Sequence, residues 1–228
     1  MPIRHLPPVA IDGHVLTSPG GPDHPMRVAT RRAAGLEEGG WKHELRDDVR
    51  AYFDGMAADW HTRTSPERTG IVRDALTRGV GTAGAPAGPA VEIGSGIGAY
   101  SALLAAQFGT VVAVDLSLEM LKLAPSTPGL RVQADGSVLP LRDGAVAAVV
   151  LINAFLFPAE VARILVPDGI VVWVNSSGER TPIYLPPDDL LTALPGEWEG
   201  VASRAGEGHW CVLRRTGGAS REGLTGNP

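Results

Sequence analysis

A single cysteine, Cys211, stands in a chain of 228 residues. One thiol excludes an internal disulfide framework and points to a reducing compartment, which predicts a cytoplasmic protein. Lysine is nearly missing as well. Lys42 and Lys122 are the only two, and arginine carries the rest of the positive charge. The net charge is −5 and the isoelectric point about 5.7, so the excess of cations that grips a phosphate backbone is absent. A nucleic-acid partner is therefore not expected. The longest apolar run, Ala145–Ile152, stops at Asn153. It falls far short of the ~20 residues of a membrane helix. The opening MPIRHLPPVAIDGHV has no apolar core behind its basic residue, so no leader of the secretory type is expected. The spacing of His5, His14, His24 and His43 is not that of metal ligands, so no metal is expected. No internal repeat is found.

Glycine and proline, by contrast, are plentiful at 29 and 19 residues. A hydrophobic share of 44% still describes a globular protein. The length suits one α/β domain with accessory segments and a sizeable core. Residues 1–43 read as an irregular arm, a candidate lid, with a short helix around Met26–Leu36 and with Val9, Ile11, Val15 and Leu16 available for burial. Residues 44–89 read as a helical cap and linker. Within them Leu45, Val49, Tyr52, Phe53, Met56 and Trp60 recur at helical steps. A second helix is expected over Pro66–Arg78, capped by Ser65, followed by a flexible Gly79–Pro89 connector.

From Ala90 strands and helices alternate through residue 215. Strands are expected at Ala90–Ile93, Thr110–Val114, Leu130–Ala134, Ala145–Ile152 and Ile170–Asn175, the last entered by the turn Pro167-Asp168-Gly169. Helices are expected at Gly98–Phe108, Ser117–Ala124 and Pro158–Val166. A short helix over Asp188–Leu194 and an antiparallel hairpin, Trp198–Ser203 with His209–Arg215, close the domain. Residues 216–228 read as a disordered tail. Repeated βα units predict a Rossmann-like, doubly wound α/β sheet.

Three acidic strand ends carry the chemistry. In VEIGSGIGAYS (Val91–Ser101), glycines let the backbone turn tightly and let a ligand approach it. Gly94, Gly96 and Ala99 fit the dinucleotide pattern G-x-G-x-x-A, and Glu92 with Gly94, Gly96 and Gly98 fits E-x-G-x-G-x-G. A carboxylate at Glu92 repels a diphosphate and attracts an ammonium group. Asp115 ends the next strand, about 20 residues beyond Gly94, where a carboxylate can accept both ribose hydroxyls. Asp135 ends the third, placed to accept an adenine amino group. Each aspartate alone also reads as a cap or a turn residue.

The ordered set VEIGSGIGAYS, VVAVDLSLEMLKLA, VQADGSVLPLRDGAVAAVV and ARILVPDGIVVWVNSS resembles the class I S-adenosylmethionine-dependent methyltransferases. The resemblance is to small-molecule enzymes of the ubiquinone-biosynthesis type, and YFDGMAADW resembles their N-terminal helix. It spans about residues 44–215. It implies a seven-stranded sheet whose last strand is antiparallel, and S-adenosylmethionine as cofactor, leaving as S-adenosylhomocysteine. Gly94, Ser95 and Gly96 would line the methionine part, with Glu92 approaching its ammonium and Asn153 beside it. Asp115 would hold ribose, with Leu116 and Met120 beside the adenosine. Ala134, Asp135 and Gly136 would frame adenine. Tyr52 and Trp60 would cover the cofactor, or would simply pack in the core.

The chain departs from that pattern in one place. Only NAFLFP separates the fourth strand from its helix, a shortened wall of the acceptor pocket without a histidine. No N/D-P-P-Y motif stands at Asn153, which disfavours nucleobase amines. Cys211 lies late in a terminal strand, which disfavours a cysteine-nucleophile RNA mechanism. The expected reaction is an in-line displacement onto a small-molecule acceptor through oxygen, nitrogen or carbon, by a monomer or homodimer. His61 and His209 are the candidate bases, and Tyr184 a residue that could position substrate. Both histidines also read as solvated or hydrogen-bonded residues with no catalytic part. Two other readings stay open: a catalytically silent adenosyl-ligand binder, and a nicotinamide-dependent oxidoreductase.

Overall fold

The structure, a computed structural model, describes residues 3–13, 21, 23–125 and 129–217. Val15, Leu16 and nearly all of the expected tail lie outside them. The first part of the chain holds β1 (Ile3–His5), α1 (Pro25–Ala33), α2 (His43–Met56), α3 (Pro66–Asp74) and the single turn α4 (Gly81–Ala83). Then follow β2 (Ala90–Ile93), α5 (Ser101–Phe108), β3 (Val111–Asp115), α6 (Leu118–Leu123) and β4 (Leu130–Gln133). The chain continues through β5 (Val146–Ile152), α7 (Pro158–Ile164), β6 (Leu165–Asn175), α8 (Pro187–Ala193), β7 (Glu197–Ala205) and β8 (Gly208–Thr216).

The strands form one sheet in the order β1-β7-β8-β6-β5-β2-β3-β4. Every neighbouring pair is parallel except β6–β8 and β7–β8. β5 sits near the middle with all seven residues buried, as a strand covered on both faces must be. One face packs Val161 and Ile164 of α7 and Leu190 of α8 against Leu151 and Trp173. The other packs Ile71 of α3, Leu76 and Leu104 of α5 against Val150 and Val172.

The sheet has eight strands among the described residues, not seven. The extra one is β1, a three-residue strand parallel to β7 in which only Ile3 is buried. Three residues carry too little period to be read from sequence. The arm therefore supplies a strand and a helix rather than irregular chain alone. The Pro167-Asp168-Gly169 turn is absorbed into β6. Asp168 takes a φ of 63° there, and the pairing with β5 shifts between Val146 and Ala148.

Before the sheet, the segment whose apolar residues recur at helical steps from Leu45 to Trp60 divides. α2 ends at Met56 and the chain tightens into a 3₁₀ turn, Ala57–Arg63. Ser65 caps α3 as expected, accepting from Arg68 N at 3.3 Å. Beyond α3 the helix widens into a π turn, Ala75–Val80, and then α4, so part of the expected connector is helical. Gly79 fixes this packing: a Cβ there would stand 2.7 Å from Val212 Cγ2 and 2.9 Å from Trp210.

Candidate active site

The chain runs from β2 outward to β3 and β4, then returns to β5 on the other side of β2. At such a reversal the loops leaving the two central strands diverge and open a crevice at their carboxyl ends. The protein has a cavity there of about 940 Å³, counting its open mouth. Its floor is the loop after β2. Gly94 and Gly96 adopt φ of 74° and 55°, the left-handed region where a side chain is strained. A Cβ on Gly94 would also lie 2.7 Å from Ala154 Cβ.

Backbone amides hold this loop against β3. Gly94 N and Ser95 N donate to Val114 O at 2.8 and 3.0 Å. Gly96 N donates to Asp115 Oδ2 at 2.7 Å, and Ser117 N to Asp115 Oδ1 at 2.8 Å. Burial pushes the Asp115 carboxyl above the usual carboxylate range, and the Asp54 charge adds to this, while the donating amides oppose it. Ser95 Oγ is buried with no hydrogen-bond partner among the described residues.

Glu92 is 1% exposed, and Ser101 Oγ donates to its Oε2 from 3.4 Å. Burial pushes its carboxyl up to about 8, against the Ser101 hydrogen bond and with the Asp115 charge. A buried carboxyl so weakly satisfied is a site for a cation.

Trp60, Glu92, Gly94, Ser95, Gly96 and Asp115 all line the cavity, together with Leu116, Ala134, Gly136 and Asn153. Asn153 sits at φ 51°. Its Nδ2 donates to Ser176 Oγ at 2.9 Å, and its Oδ1 accepts from Ser176 N at 2.8 Å, tying the end of β5 to the end of β6. Three expected residues stand elsewhere. Met120 is buried within α6, away from the cavity lining. Tyr52 is 41% exposed and lines a neighbouring cavity. Asp135 lies just behind the lining, where its carboxylate accepts from Ser137 N at 2.8 Å and from Trp41 Nε1 at 3.1 and 3.2 Å.

Trp41 lay outside any periodic segment and went unread. Its ring packs 5.3 Å from Phe155 and 5.1 Å from Phe157, so the short NAFLFP segment supplies an aromatic wall rather than only a gap. Arg63 and Arg68 also line the cavity, and no motif marked them. Arg68 Nη1 donates to Arg63 O at 2.8 Å, and the Arg63 guanidinium lies 5.3 Å from the centre of the Trp60 ring.

The neighbouring cavity, about 550 Å³ with its mouth, shares Phe53, Trp60, Arg63, Arg68, Asn153 and Ile183 with the first. Neither candidate base lines either one. His61 is exposed, with Nδ1 3.0 Å from Ala58 O. His209 lines a separate hollow with Tyr184, and burial pushes its imidazole below the usual value. Among the described residues no three His, Cys, Asp or Glu side chains gather as metal ligands would. No helix among them is long and apolar enough to cross a membrane.

Residues 91–173 match the family described as methyltransferase domain. None of the curated protein sequences is detectably similar to the chain. Among solved structures, DhpI in complex with SAH superposes with a TM-score of 0.61 and 21% identity, over 77% of this chain and 98% of that one. A SAM-dependent methyltransferase of Thermotoga maritima gives a TM-score of 0.55 and 14% identity, over 74% and 100%. A Haloferax volcanii methyltransferase solved with the Trm112 activator gives 0.46 and 26%, over 54% of this chain and 59% of that one. The chain thus spans about three fifths of that relative's length, and half the length of two further ones. Residues 91–173 thus match a methyltransferase domain, and the chain has the fold of the class I S-adenosylmethionine-dependent methyltransferases.

Proposed function

We propose that the protein transfers a methyl group from S-adenosylmethionine to a small-molecule acceptor by in-line displacement. The observation that carries this reading is the convergence of Glu92, the Gly94–Gly96 loop, Asp115 and Asn153 on one cavity. The residues present fit the cofactor. The loop has no Cβ at Gly94 or Gly96, Ser95 Oγ has no partner among the described residues, and Glu92 is a buried acid held there by a long hydrogen bond from Ser101. When bound, S-adenosylmethionine supplies a methyl group on a cationic sulfur, a good leaving group for displacement.

Asp115, oriented by the amides of Gly96, Ser117 and Leu116, presents its carboxylate to the ribose hydroxyls. Glu92 takes the ammonium. Arg68, in the lining of the same cavity, takes the carboxylate of the methionine part. Asp135, outside the lining, fixes Trp41 on the adenosine side through its Nε1 hydrogen bonds. Trp41, Phe155 and Phe157 keep water from the adenosine side, and Trp60 closes the loop side. The second cavity abutting the first at Asn153 and Trp60 supports transfer to an acceptor over silent binding of the cofactor.

Calorimetric titration with S-adenosylhomocysteine tests the reading. Wild type is expected to bind, and Asp115→Ala to bind roughly ten- to a hundredfold more weakly, the loss of about 1.5–3 kcal/mol typical of hydrogen bonds to a charged group. No binding by wild type counts against the proposal.

A further inference from the structure

We infer that the acceptor is a small organic anion, whose acid group is read by Arg63 at the boundary of the two cavities. The inference rests on the methyltransferase reading and names the substrate class of the same site. Three observations carry it.

First, the second cavity has the composition of a site for an apolar body with one charged end. Tyr52, Phe53, Met56 and Trp60 form an aromatic and thioether wall. Among its described lining residues the only ionised side chains are Arg63 and Arg68. No carboxylate and no imidazole lines it. A cationic or amine-rich acceptor would meet only like charge there.

Second, two guanidiniums border the space where the cofactor's methionine part would lie, and that part has a single carboxylate. Arg68 shares the cavity wall with Tyr100, the residue just past the glycine loop, and so stands toward that loop. That assignment leaves Arg63 facing the acceptor.

Third, Arg63 has no carboxylate within 4.0 Å among the described residues, although nine arginine–carboxylate pairs occur elsewhere in them. Its guanidinium is held over the Trp60 ring at 5.3 Å, so its planar fork is pre-oriented at the cavity wall. A guanidinium so placed binds carboxylate or phosphoryl oxygens in a bidentate way at low entropic cost.

The test uses the full chain saturated with S-adenosylhomocysteine, at constant ionic strength. Benzoate and phenylphosphonate serve as anionic probes, and benzamide as the neutral isostere, all followed by thermal shift and calorimetry. Benzoate or phenylphosphonate is expected to bind at least tenfold more tightly than benzamide. Which anion wins separates a carboxylate from a phosphoryl acceptor. In Arg63→Met this preference should vanish while affinity for S-adenosylhomocysteine stays as in wild type, and Arg63→Lys should recover part of it. Equal binding of anions and benzamide to the loaded wild type overturns the inference. So does an Arg63→Met protein that loses S-adenosylhomocysteine but keeps the anion preference, because Arg63 would then serve the cofactor. If wild type fails to bind S-adenosylhomocysteine at all, the methyltransferase reading falls, and this inference with it.

Discussion

Glu92 shows how a single residue can be cheap to read and costly to keep. Its place before the glycines is plain in the sequence, but its environment is not. In the fold it is buried with a long hydrogen bond from Ser101, and its carboxyl is pushed up to about 8. The unfolded chain ionises it near the ordinary glutamate value. Between those two values the native state therefore holds a proton that the unfolded state has released. Stability from this residue is full below the unfolded value and is lost as pH rises toward 8, at about 1.4 kcal/mol per pH unit. Asp115, also raised by burial, adds a slope of the same sign, so the comparison must isolate Glu92. Urea unfolding of wild type and Glu92→Gln at pH 5.5 and 7.5 does so. The variant is expected to gain on wild type as pH rises; parallel curves would show that Glu92 stays ionised in the native state. The cofactor's ammonium would supply the missing counter-charge, so the same burial that weakens the free protein favours a cationic ligand.

At the scale of elements, the βα units were legible because each is a long or strongly patterned segment. β2 has the bounds expected of it, and β5 needed only its unbroken apolar run. The cap before the sheet was legible in its apolar face and not in its shape. Nothing in the spacing of Tyr52, Phe53 and Trp60 says that α2 ends at Met56, because the 3₁₀ turn that follows packs against α6, far along the chain. The turn brings Trp60 to both cavities and its ring 5.6 Å from Phe53, while Tyr52 is left to the second cavity alone. Trp41 was illegible for the related reason that its partners, Asp135, Phe155 and Phe157, lie about a hundred positions away.

One contact ties this cap to the cofactor side. Ser117 Oγ donates to Asp54 Oδ1 at 2.5 Å while accepting from Met120 N, so the residue that caps α6 also anchors α2. Asp54→Ala keeps the α6 cap and cuts the anchor. Amide exchange in residues 43–63 is expected to quicken while that of β5 and β6 stays as it was. Exchange unchanged in 43–63 would mean that apolar packing alone seats the cap.

At the scale of the whole molecule, the two ends of the sheet do different work. The cavity belongs to β2, β3 and β5, whereas β1 lies at the far edge, with β7, β8 and β6 between it and β5. The segment from Ile3 to Val9 runs beside β7. Beyond the β1 ladder, Leu6 N donates to Ala202 O at 2.9 Å, Val9 N to Arg204 O at 3.0 Å, and Gly206 N to Val9 O at 2.9 Å. Its physical role follows from position: without it β7 becomes an open edge, a template for pairing with other chains. A protein beginning at Asp12 loses these three bonds, the β1 ladder, the bonds of Ser203 and Arg78 to the Leu6 and Pro7 carbonyls, and the burial of Ile3. At about 1 kcal/mol net per hydrogen bond, it is expected to be less stable by at least about 3 kcal/mol. It should also self-associate more readily on sedimentation, yet bind S-adenosylhomocysteine as the full chain does. The last point separates two kinds of arm. If the segment only covers an edge, affinity is untouched because three strands insulate the cavity from the change. If affinity falls with stability, the arm acts through α1, whose Met26 reaches the second cavity, and the N-terminal region is a working part of the site.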